Sequence, residues 1–275
     1  MFKSVRLTFV TFLLVAHSVT AQESRPVQLM TPDDVGISAA YFPVGGDSVP
    51  AVLLLHSLGQ NRDEWTTMAA LLQRHGIAAL SLDLRGHGES TRKITALGPQ
   101  RLDFQKFTAR DFTDMMLDLN AAFDWLAKQP NINRKHIGVI GTSFGANLAL
   151  RYATFNEDVA ALLLFSPGLN YNSVRTDDVM KRVGPIPLRI IVARYDTFAY
   201  ESSKRLFAIR KEQGHPTDPK DFTVSTGHLH GLALLTGVAN MPQSVLDWLQ
   251  EKLAGHPTPA PEPAPPAATP PPPAK

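Results

Sequence analysis

An apolar strand that runs into Gly141-Thr142-Ser143-Phe144-Gly145 and restarts at once as a helix leaves few folds open to a chain. Ile137, Val139 and Ile140 supply the strand, and Ala146, Leu148, Ala149 and Tyr152 lie on one helical face beyond the turn. The serine stands at the tip of a strand, a sharp turn and a helix, the context that gives a G-x-S-x-G pattern chemical meaning. Its flanking glycines have a steric purpose. A residue held at a strained backbone angle on so tight a turn needs neighbours without Cβ atoms where helix and strand nearly touch. The turn pushes a hydroxyl out above whatever sheet the strand joins.

Five further short apolar runs complete that sheet. Residues 51–56 and 77–82 precede the serine strand, and 159–165, 188–193 and 221–225 follow it. Runs of this length without alternation suit strands buried on both faces. Helical periodicity separates them. Asn61 or Asp63 caps a helix through Trp65, Met68, Leu71 and Leu72 that ends at Gly76. Asp111 caps a helix over 112–129, and helices over 201–213 and 243–253 come late in the chain. Residues 37–42 read as an antiparallel edge strand and 84–110 as a glycine-rich loop with a polar continuation. Strands alternating with helices predict an α/β fold, a mostly parallel central sheet flanked by helices. Reactive groups then gather in loops past the carboxyl ends of the strands, where Ser143 lies.

Both ends differ in composition from this body. Residues 1–21 carry Lys3 and Arg6, an apolar run over 7–16 and the small-residue ending Val19-Thr20-Ala21, the pattern of a secretory signal peptide cleaved after Ala21. Residues 254–275 are mostly Pro and Ala, too poor in buriable surface to fold, and predict an extended tail that serves as a spacer or envelope contact. The expected hydrolytic body is 22–253. Removing 1–21 deletes two bases and no acid, so the formal charge falls from +2 to zero. A neutral body has no electrostatic reason to hold nucleic acid or an anionic membrane. With no cysteine in the chain, a disulfide, a thiolate metal site and a thiol nucleophile are all excluded.

A serine hydroxyl is a weak nucleophile at neutral pH and needs a base within hydrogen-bond reach and an acid to orient that base. Asp196 follows the strand over 188–193 and suits the acid. His228 and His230 follow the last strand in Thr226-Gly-His-Leu-His-Gly231, and one of them suits the base. Their spacing also suits a metal pair, but no third ligand stands in an obvious place, so no metal and no cofactor are expected.

The order Ser143, Asp196, His resembles that of the α/β-hydrolase superfamily, particularly its cap-less esterases of the dienelactone-hydrolase type. Two more motifs carry the resemblance: His56-Ser57-Leu58-Gly59 is similar to the family's His-Gly-x-Gly turn, and Asp83-Leu-Arg-Gly-His-Gly-Glu-Ser90 to its D-x-R-G-H-G-x-S loop. The resemblance implies that His230, which precedes Gly231, is the base. It also implies that the backbone N–H groups of Leu58 and Phe144 form an oxyanion hole, with Ser57 departing from the usual glycine. His56 and His87 would hold loops. About twenty residues, 168–187, stand where the superfamily inserts large caps, so the site should be open. Trp65, Phe144, Leu169, Tyr171 and Phe198 are then candidates to contact substrate. The expectation is an exported (periplasmic or secreted) serine hydrolase that cleaves small carboxylic esters through an acyl-enzyme. A peptidase, thioesterase or acyltransferase would share the site, and a non-catalytic envelope scaffold would share the fold.

Overall fold

The structure, a computed structural model, describes residues 23–215 and 217–253. The readings of 1–21 as a signal peptide and of 254–275 as a tail lie outside the described residues. In chain order the elements are β1 (Arg25–Met30), β2 (Val35–Phe42), β3 (Val49–Leu55), α1 (Thr66–Arg74), β4 (Ala78–Leu82), β5 (Arg92–Thr95), β6 (Gly98–Arg101), α2 (Ala109–Asp114) and α3 (Met116–Ala127). There follow β7 (Ile132–Thr142), α4 (Phe144–Tyr152), β8 (Val159–Phe165), β9 (Asn170–Tyr171), β10 (Val174–Arg175), α5 (Asp177–Met180), β11 (Leu188–Ala193), α6 (Thr197–Glu212), β12 (Phe222–Ser225), α7 (Ala233–Gly237) and α8 (Met241–Lys252).

Among the described residues, ten strands form one sheet in the order β12-β11-β8-β7-β3-β4-β2-β5-β6, with β1 paired to β2. From β4 to β12 every neighbour is parallel, whereas β2 is antiparallel to β4. All seven residues of β3 are buried, as its unbroken apolar run requires. One face of the sheet is covered by α2 to α6, with Phe112, Leu119, Phe123, Leu148 and Leu206 in the core. The other is covered by α1, α7 and α8, with Trp65, Leu72, Leu234, Val245 and Trp248.

The structure corrects the sequence reading at three places. Residues 37–42 do not form the edge, because β1 and the β5–β6 hairpin lie outside β2. These outer strands were illegible because they bury little: β1 turns only Val27 and Leu29 inward, and β5 and β6 are largely exposed. The helix expected over 112–129 starts at Ala109 and is capped by Thr108, not Asp111; Asp111 is the third residue of a capping box whose carboxylate accepts from Thr108 N–H at 2.8 Å. That helix is also broken at Met115, where Asp118 N–H bonds back only three residues, a tightening to 3₁₀ geometry. Asn61, by contrast, does cap the 3₁₀ turn Arg62–Trp65 that leads into α1, accepting from Asp63 N–H.

Candidate active site

Ser143 links β7 to α4 at φ 52°, ψ −117°, a conformation costly for a residue with a side chain. Its surroundings leave it no alternative. A Cβ at Gly141 would come within 2.2 Å of the Gly145 carbonyl oxygen, and one at Gly145 would meet the Leu55 and His56 carbonyl oxygens at 2.5 Å. Both glycines are therefore obligatory, and the turn is held by Ser143 N–H donating to Phe165 O at 2.8 Å. Phe144 begins α4, so its N–H has no partner within the helix.

Asp196 follows β11 and His230 follows β12, and the parallel register of β7, β8, β11 and β12 brings all three loops to one edge of the sheet. His230 Nε2 lies 2.8 Å from Ser143 Oγ, and His230 Nδ1 lies 2.6 Å from Asp196 Oδ2. A carboxylate only accepts, so Nδ1 carries the proton and Nε2 offers its lone pair to the serine hydroxyl. His228 turns elsewhere: its ring lies on Tyr195 with centroids 5.0 Å apart.

The turn after β3 is built by His56. Leu84 N–H donates to His56 Nε2 at 3.0 Å, so the ring proton sits on Nδ1, which donates to Ser57 O at 2.7 Å. Burial, with His87 nearby, pulls the His56 pKa down to about 3 and keeps the ring neutral. Ser57 O also accepts from Gln60 N–H at 3.1 Å. In a planar trans peptide the C=O and N–H point in opposite directions, so pinning Ser57 O turns Leu58 N–H away from the buried ring. The departure from glycine at Ser57 does not strain the turn, because the positive φ of 78° falls on Gly59. His87 donates from Nδ1 to Arg85 O and stacks on Phe104, so both motif histidines hold loops.

The other predicted contacts divide. Tyr171 stands edge-on to His230, its hydroxyl faces Ser143, and Phe198 packs against it while remaining half exposed. Desolvation, aided by the negative charge of Asp196, pushes the Tyr171 phenol up to about 12, so it stays protonated. Leu169 is half-buried against the core beside them. Trp65 is a correction. It is fully buried under α1 with its ring 6.2 Å from Phe165, because the 3₁₀ turn directs it into the sheet face, and it cannot touch substrate. The Phe144 side chain is likewise in the core, edge-on to Phe112. The connection over 168–187 contains only the β9–β10 hairpin and α5, and the His230 side chain is 43% exposed.

Sequence reasoning missed the supports beneath these groups. Gly231 N–H donates to Ser166 Oγ at 2.9 Å, and the Ser57 N–H and hydroxyl both reach the Glu64 carboxylate. Under the Asp83–Ser90 loop, Arg85 joins Asp33 to the fully buried Asp118. These contacts cross between elements, and no periodicity announces them.

This geometry is that of the α/β-hydrolase fold, and the chain belongs to the α/β-hydrolase family, whose model matches residues 50–201. A search of characterised proteins finds 31% identity over 122 residues with 2,6-dihydropseudooxynicotine hydrolase of Paenarthrobacter nicotinovorans, covering 44% of this chain and 29% of that one. Monoacylglycerol lipase ABHD6 of Bos taurus is 27% identical over 126 residues, covering 45% of this chain and 32% of the lipase. The chain spans less than half the length of the curated relatives it matches. Among solved structures, the esterase PF2001 of Pyrococcus furiosus superposes with a TM-score of 0.67 at 19% identity, covering 84% of this chain and 91% of the esterase, a likeness of fold. Among the described residues no helix is long and apolar enough to cross a membrane.

Proposed function

We propose that the chain is a serine hydrolase that cleaves small carboxylic esters through an acyl-enzyme. The observation that carries this reading is the unbroken chain of short hydrogen bonds from Ser143 Oγ through His230 to Asp196. Ser143 attacks the ester carbonyl while His230 Nε2 takes its proton, and Asp196 steadies the imidazolium that forms. The carbonyl oxygen becomes an oxyanion between Phe144 N–H and Leu58 N–H; each such donor is typically worth about 10²–10³ in rate. His230 returns the proton to the departing alkoxide and then activates the water that releases the acid. No cofactor enters any step. Tyr171, Phe198 and Leu169 form the wall against which acyl or alcohol groups lie, and the short 168–187 connection favours small, varied substrates over one enclosed ligand.

The relatives' names support hydrolysis, and the panel that tests it separates the neighbouring chemistries. Fluorophosphonate should label Ser143, and p-nitrophenyl esters of increasing chain length should turn over faster than a matched peptide. Faster turnover of a thioester or peptide, or transfer to an added alcohol in preference to water, would move the assignment to a thioesterase, peptidase or acyltransferase. A folded protein that does not label is a scaffold. We propose also that the protein is exported with cleavage after Ala21; a mature chain that mass spectrometry finds still starting at Met1 would mean an anchored or cytoplasmic protein and refute it.

A further inference from the structure

We propose that Glu64 is a positioning residue that, by accepting from both the N–H and the hydroxyl of Ser57, holds the turn that aims the Leu58 N–H at the developing oxyanion. The inference rests on the reading of Ser143 as nucleophile. Glu64 Oε2 accepts from Ser57 N–H at 2.8 Å and Oε1 from Ser57 Oγ at 3.1 Å, a two-pronged grip on one residue. On its far side Ser57 Oγ lies 3.4 Å from Thr142 Oγ1, and Thr142 is the residue that precedes Ser143. The carboxylate thus ties the oxyanion turn to the end of the nucleophile strand. His56 and Gln60 fix the carbonyl of the Ser57–Leu58 peptide, and Glu64 fixes the amide before it, so both ends of Ser57 are held.

The carboxylate is itself held in place. Glu64 belongs to the 3₁₀ turn Arg62–Trp65, capped by Asn61 and anchored by the buried Trp65. Its outer side faces a cavity of about 390 Å³ whose walls include Met68, Leu71, Leu232, Leu235 and Pro242. This apolar surrounding raises the Glu64 pKa, although the two bonds from Ser57 and the charge of His230 pull the other way. Arg74 is the other charged group lining the cavity, α7 contributes no titratable side chain to it, and His230 faces Glu64 from the loop after β12.

An acid whose folded pKa lies above its unfolded value lowers stability as pH rises through the folded pKa, because the ionised form is disfavoured in the fold. Ionised Glu64 therefore costs folding stability at the pH where it grips Ser57.

The test compares the full chain with Glu64→Leu and Glu64→Gln at pH 8, reading Tm, kcat and KM on a p-nitrophenyl ester and the rate of fluorophosphonate labelling. Glu64→Leu should lower kcat and labelling about 10- to 100-fold, a large part of one oxyanion donor. KM should stay within about twofold, and the loss of kcat should exceed what any change in Tm explains. Glu64→Gln keeps one acceptor and should fall between. Wild-type kcat in both variants, or losses of kcat that only track a falling Tm, would overturn the proposal while leaving Ser143 in place. A folded wild type that neither labels nor turns over ester would remove the serine reading and this proposal with it.

Discussion

Replacing Gly231 by alanine tests whether the backbone beside the base is what sets the His230–Ser143 distance. Gly231 has φ +57°, and a Cβ built there would lie 2.6 Å from Thr142 Oγ1, where ordinary contact begins at 3.4 Å. The left-handed angle costs an alanine roughly 1–2 kcal/mol. The steric overlap adds about 1–3 kcal/mol. Neither side can move cheaply, because Gly231 N–H is bonded to Ser166 Oγ at 2.9 Å and Thr142 is the last residue of β7. The displacement therefore passes to the adjoining His230 and strains its 2.8 Å bond to Ser143 and its 2.6 Å bond to Asp196. At about 2–4 °C per kcal/mol for a domain of this size, Tm should fall by about 4–20 °C. A shift of the base by about 1 Å should lower kcat on the order of 100-fold. Adding Thr142→Ala removes the obstructing oxygen but not the backbone strain. The double variant should regain most of kcat and about half of the lost Tm, a coupling read by differential scanning calorimetry and ester kinetics as a double-mutant cycle. A single variant with wild-type kcat and Tm would refute the reasoning, as would a double variant no better than the sum of its parts.

His230→Ala should lower kcat by about 10⁴-fold or more, as loss of a triad base does. His228→Ala should cost about tenfold or less, since the His228 ring lies tilted against Tyr195; the reverse outcome in ester kinetics would reassign the base. Trp65→Ala should lose about 3–5 kcal/mol of unfolding free energy in urea titrations, with KM of the folded fraction unchanged, because the side chain is in the core and not in the substrate wall. Partial burial pushes the Asp33 carboxyl up, but bonds from Arg85, Thr31 and Lys93 outweigh it and hold the group well below the usual carboxylate range. An acid so depressed contributes stability above its unfolded pKa, 3.8, and loses it as pH falls. Asp33→Asn should therefore lower Tm at pH 7, and the gap to wild type should narrow below about pH 4 in thermal melts across pH.

The parallel core was legible in the residues because its physics is local. A strand buried on both faces must be apolar throughout, as 51–55 and 159–165 are, and Ser143 sits where two glycines allow strand and helix to meet. The β1 strand and the β5–β6 hairpin were not legible, because strands at the rim of a sheet bury too little to need a pattern. Trp65 illustrates a different limit: composition says it is large and apolar, but only the 3₁₀ turn decides whether it faces the core or the site. The residues placed Asp196 and the two histidines after the correct strands, since chain order past strand ends is a one-dimensional property. That His230 meets Ser143 while His228 lies on Tyr195 depends on the angle of one loop against another, which the order does not contain. The approach of the Ser57 hydroxyl to Thr142 and the Gly231 contact with Thr142 join residues far apart in the chain through distances of a few ångströms. Such contacts exist only once the sheet register has brought the strand ends together, so tertiary structure alone decides them.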